Sequence, residues 1–64
     1  MKNKKMKIAR IEADVSQEEL AGIVGVTRQT INLIEARKYN PSLNLCTAIC
    51  KALNKTLNDL FWEE

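Results

Sequence analysis

An all-α fold, arranged as a compact five-helix domain, is what this 64-residue sequence predicts. Three observations lead there. So short a chain hides only about 60% of its unfolded surface, so it forms one domain and needs a tight core with well-finished helix ends. Apolar residues make up 45% of it and are mostly Ile, Leu, Val and Ala, with three aromatics in all, a composition suited to small helices packed closely. Finally, Ser16, Thr27, Ser42 and Thr56 each stand just ahead of an apolar run, where a hydroxyl caps the first turn of a helix.

The first helix is expected over residues 4–13, with Ile8 and Ile11 as its inward stripe at helical spacing. The second begins on a complete start signal. Ser16 is the N-cap, Glu19 closes a capping box, and Val15 and Leu20 occupy the two staple positions. Gly25 ends that helix, because a sharp turn needs a residue that accepts positive φ. Thr27 caps the third, which runs to about Arg37, with Val26 and Ile31 as its staple. Proline at 41 disfavours helical geometry in Asn40. Ser42 then caps a fourth helix to about Leu53, carrying Leu43, Cys46, Ile49, Cys50 and Leu53 on one face. Thr56, with Asp59 three residues on, opens a last short helix that holds Leu57, Leu60, Phe61 and Trp62.

Charge alone does not declare a function. The net charge is +2 and the pI about 8.7, slightly under the value near 9 that flags a nucleic-acid binder by composition. Half of the ten cations lie in the first ten positions (Lys2, Lys4, Lys5, Lys7, Arg10); residues 1–5 read as a flexible basic arm that either follows phosphates or stays solvated. No stretch is long enough for a bilayer span or a signal peptide, so a cytoplasmic protein is expected. The chain has no His, no acid–base pair in a recognisable setting and no glycine-rich phosphate loop, which argues against an enzyme. No cofactor, metal or small-molecule ligand is indicated. Cys46 and Cys50, four apart with no His to join them, read as buried apolar residues, with a thiol switch as the alternative.

The chemistry-bearing stretch is residues 17–38. Ala21 is small where the next helix must cross, Gly25 permits the turn, and Ile31 and Ile34 pack the third helix inward and leave its other side exposed. That side starts with Arg28 and Gln29 and continues one turn later with Asn32. These side chains match the donor and acceptor patterns of guanine and adenine edges. On an arbitrary helix they would be ordinary solvated residues, but directly after a constrained turn they make a reading head for double-stranded DNA.

Together SQEELAGIVGVTRQTINLIEARKYNPSL and the later LNDLF resemble the Cro and cI repressor-like helix-turn-helix family, also called the xenobiotic-response-element family, across residues 8–61. Within it the chain is most similar to short bacterial regulators of the cytolysin repressor type. The resemblance implies a lambda-repressor-like domain whose second and third helices form the helix-turn-helix, with the third in the major groove. It implies base contacts from Arg28, Gln29, Asn32 and Leu33. It places Gln17, Thr27, Thr30, Lys38 and Asn40 at the phosphates, joined by N–H donors around Ser42 and Leu43. It also implies a partly buried structural link between Arg10 and Glu35.

Three features depart from the family pattern. Leu33 replaces a polar residue and either touches a thymine methyl or is inconsequential. Gly22 interrupts the second helix at a cost of about 1 kcal/mol relative to Ala. The third is the lysine-rich arm. A single reading helix covers few base pairs, so a homodimer on a two-fold symmetric operator is expected, acting as a repressor of transcription. Its interface is expected at Leu57, Phe61 and Trp62, the alternative for Trp62 being to fold over its own core. The rival function is a protein-interaction module such as an antitoxin-like partner.

Overall fold

A computed structural model describes residues 4–61. Five helices follow in order: α1 (Lys4–Glu12), α2 (Gln17–Val24), α3 (Arg28–Glu35), α4 (Leu43–Leu53) and α5 (Leu57–Leu60). Among the described residues there is no strand, so the fold is all-α, as the sequence predicts. The second helix packs on α3 and α4, while α1 closes over α3 and α5.

Local chemistry begins and ends these helices much as the sequence predicts. The Glu19 N–H donates to Ser16 Oγ at 3.0 Å, and the Ser16 N–H returns a bond to Glu19 Oε1 at 2.9 Å. Each satisfies a donor that the first turn leaves without an intrahelical partner. Gly25 ends α2 at φ 84°, and its N–H reaches the Ala21 carbonyl at 2.8 Å. The Thr27 and Ser42 hydroxyls cap α3 and α4 by accepting from the Thr30 and Leu45 N–H groups. Thr56 and Asp59 form the second capping box, at the head of α5. The third helix ends at Glu35, two residues before the expected limit, and Arg37 follows in the left-handed region at φ 60°.

Met6, Leu20, Ile31 and Ile49 are the fully buried centre, one from each of the first four helices, and Leu60 joins from α5. Val15 and Val26 pack onto this cluster from their staple positions, and Leu57 and Phe61 lean on it from the end of the chain. Cys46 and Cys50 are buried free thiols. Burial pushes both thiols above 9.0, for Cys50 with added repulsion from Cys46 and Asp59. They therefore hold less reactive thiolate than an exposed cysteine and act as core.

Two inward assignments are corrected. Ile8 and Ile11 are 54% and 58% exposed, and the buried face of α1 is Met6, Ala9 and Arg10. At about 100° per residue, Met6 lies within about 40° of Arg10 around the helix, whereas Ile8 lies about 200° away. Turning Arg10 toward its buried carboxylate partner carries Ile8 to the surface. Leu43 is 66% exposed, because the first residue of α4 lies beyond the edge of the core that Cys46 and Ile49 reach. Lys4 and Lys5 of the basic stretch form the first turn of α1, and its first three residues lie outside the described part. No helix among the described residues is long and apolar enough to cross a membrane.

Candidate nucleic-acid interface

Along α3, Arg28, Gln29 and Asn32 are exposed, and Leu33 and Thr30 are half-buried. Ile31, Ile34 and Glu35 form its buried side, so at about 100° per residue Gln29 and Leu33 point opposite, Asn32 and Thr30 flank them, and Arg28 sits about 60° from Ile31 in the first turn. Arg28 and Gln29 occupy the first two positions after the Thr27 cap, so they project from the helix end nearest the turn. Thr27 Oγ1 and Thr30 Oγ1 lie 3.0 Å apart and share a hydrogen bond, which holds both hydroxyls at that end.

The start of α2 lies against α3, through the Gln17 side chain at Asn32 and Glu35. The first N–H groups of α2, α3 and α4 have no acceptor within their own helices, and they carry the positive end of each helix dipole. Gln17, Arg28 and Leu43 are the residues that own them. Lys38 and Asn40 are exposed in the loop between α3 and α4, beside a cleft of about 360 Å³ that Phe61 also lines. Of the expected interface residues at the chain end, Leu57 and Phe61 are half-buried against the core, and Trp62 lies outside the described residues.

Beneath the face runs a polar chain that spacing in the sequence could not reveal. Arg10 Nε donates to Glu35 Oε2 at 2.8 Å, and Arg10 Nη1 donates to the Val15 carbonyl at 2.9 Å. The link implied by family resemblance is thus formed, and it ties α1 to both α3 and the turn before α2. The other oxygen of Glu35 accepts from Gln17 Nε2 at 3.0 Å, and the same nitrogen donates to Asn32 Oδ1 at 3.4 Å. So Gln17, expected only at a phosphate, turns its side chain to Glu35 and Asn32. Among the described residues no buried side-chain nitrogen or oxygen lacks a partner.

The arrangement offers donors and acceptors for base edges, flanked by cations and helix N-termini for phosphates. No group of three or more Cys, Asp or Glu residues able to hold a metal ion occurs among the described residues.

The chain is similar to known proteins. The profile of a family described as helix-turn-helix matches residues 6–60. YgzD, an uncharacterised HTH-type transcriptional regulator of Bacillus subtilis, is 50% identical over 64 residues, covering 100% of this chain and 96% of that protein. A second such regulator, from Archaeoglobus fulgidus, is 44% identical over 57 residues, or 89% of this chain and 80% of its own. Among solved structures, the restriction-modification controller protein C.AhdI from Aeromonas hydrophila has a TM-score of 0.85 at 27% identity, covering 92% of this chain and 89% of its own. The hypothetical transcription factor NHTF from Neisseria has a TM-score of 0.82 at 28% identity, over 91% of this chain and 67% of its own.

Proposed function

The chain belongs to the helix-turn-helix family of DNA-binding transcriptional regulators, and from that premise we propose that it represses transcription as a homodimer on an operator of two-fold symmetry. The observation that carries this reading is the exposed side of α3, which holds Arg28, Gln29 and Asn32 beside the start of α2. Arg28 and Gln29 read guanine and adenine edges, Asn32 reads the next base, and Leu33 touches a thymine methyl. The N–H groups at Gln17 and Leu43 grip phosphates on either side, helped by Ser42, Lys38, Asn40 and the paired hydroxyls of Thr27 and Thr30.

Size supports two copies. The Cα trace is 29 Å at its longest and carries one reading helix, while major-groove faces on one side of a duplex recur about every 34 Å. One copy covers one face; a second is needed for a site of useful length. Leu57, Phe61 and Trp62 are the proposed contact between copies. Exposed cytoplasmic operator DNA is the partner, and no catalysis is involved.

The test is selection of bound duplexes from a random pool, followed by affinity and solution mass. The expected result is a symmetric site with half-sites one helical turn apart, bound by two copies. Gln29→Ala should lose about 1–3 kcal/mol at one base position per half-site. Lys38→Ala should weaken binding to every sequence alike and lower the salt slope by about one per copy. If nothing is enriched and any association detected is indifferent to salt, the DNA reading fails and a protein-contact module takes its place.

A further inference from the structure

We infer that Gln17 is a positioning residue for base recognition, which fixes the amide of Asn32 so that this side chain offers the groove a donor. The inference rests on the reading of α3 as a DNA-reading helix and deepens it.

The orientation is relayed from the core outward. Glu35 is held by the Arg10 guanidinium at 2.8 Å, and its carboxylate has only acceptors to offer. Gln17 must therefore turn its NH2 group, not its carbonyl, toward Glu35 Oε1, which it meets at 3.0 Å. That same NH2 group has a second hydrogen, and Asn32 Oδ1 lies 3.4 Å away to accept it. Asn32 consequently keeps its oxygen toward Gln17, and its own NH2 is the end left for a ligand. Each amide is set by the one before it, and the first member is fixed by an ion pair in the core. Gln17, Asn32 and Glu35 line one cleft of about 390 Å³ on the α1 side of the reading face, so the relay borders the surface proposed to meet DNA.

An outward NH2 suits bases with an acceptor in the major groove, namely purine N7, guanine O6 and thymine O4, and it opposes the N4 amine of cytosine. Without Gln17 the Asn32 amide is free to turn over and offer either end. Selectivity at that base is then lost although Asn32 itself is intact. The backbone N–H of Gln17 keeps its phosphate role, because it belongs to the helix start and not to the side chain.

The experiment is duplex selection with the wild type, Asn32→Ala, Gln17→Met and the double variant; methionine keeps the stem of glutamine and removes its donors. Asn32→Ala and Gln17→Met should flatten the same base position, each reducing discrimination there about fivefold or more. The double variant should be no flatter than Asn32→Ala alone. If Gln17→Met lowers affinity evenly with the motif unchanged while Asn32→Ala flattens one position, the positioning role is overturned and the DNA reading stands. If Asn32→Ala leaves every position unchanged, the positioning role falls with the role of Asn32, while a selected motif still supports the DNA reading through Arg28 and Gln29. A measurement independent of Gln17 variants uses the DNA-free protein. The side-chain NH2 resonances of Gln17 should shift on Asn32→Ala, and an unshifted pair would overturn the relay.

Discussion

Gly22 and Gly25 are three residues apart and serve opposite ends. Gly25 stands at φ 84°, where a side chain crowds the following carbonyl at a cost of about 1–2 kcal/mol. Gly22 is inside α2 in ordinary helical geometry, and a Cβ built on it meets nothing within 4 Å. The sequence alone left open whether Gly22 answered a packing need; the structure has none there. Gly25→Ala should therefore lower the melting temperature. Gly22→Ala should raise it by several degrees, in line with a gain of about 0.5–1 kcal/mol in so small a domain. Thermal unfolding of the two variants checks this, and a fall for Gly22→Ala would show that close packing does constrain the site.

At the scale of elements, α5 shows how a helix of four residues is held. Its reciprocal box joins the Thr56 hydroxyl to the Asp59 N–H at 3.2 Å and the Asp59 carboxylate to the Thr56 N–H at 3.0 Å. The bonds from the Thr56 backbone and side chain hold the Asp59 carboxyl below its ordinary 3.8, with smaller help from Lys55 and Lys5. A carboxyl whose folded value is lowered adds stability above its unfolded value and loses it as pH falls through the folded one. The contribution of Asp59 should thus be intact at neutral pH and be lost progressively as the pH falls below about 3.8. Asp59→Asn should lower the melting temperature at pH 7 and converge on the wild type in acid; a constant gap across pH would assign the effect to geometry and not to charge. The first helix teaches a different lesson. Its spacing admits two inward faces, Ile8 with Ile11 or Met6 with Ala9 and Arg10, and apolarity alone favours the wrong one.

Across the whole molecule, the Arg10–Glu35 pair is the polar tie between α1 and α3, with side-chain exposures of 11% and 7%. Removing one partner leaves a charge in the interior without its counter-ion, at a cost of about 3–5 kcal/mol. That is a large share of the stability of a small domain. Arg10→Met should therefore be severely destabilising, and adding Glu35→Leu should recover much of the loss. Urea unfolding of the single and double variants measures this. If the double variant is no more stable than the single, the loss belongs to packing and to the Val15 carbonyl bond, not to the stranded charge.

What the sequence determined by itself is everything governed within about four residues. The caps at Ser16, Thr27, Ser42 and Thr56, the turn at Gly25 and the division of α3 into an apolar and a polar side all follow from short-range hydrogen bonds and helical period. The Arg10–Glu35 link was legible only through family resemblance. Tertiary structure alone decided the rotation of α1, the exposure of Ile8 and Ile11, and the turn of Gln17 toward Asn32 and Glu35. Those contacts span 15, 18 and 25 residues, so they exist only once helices have crossed at particular angles. The crossing is set by the packing of Met6, Leu20, Ile31 and Ile49 around one centre, a condition on all four helices at once that no local spacing expresses.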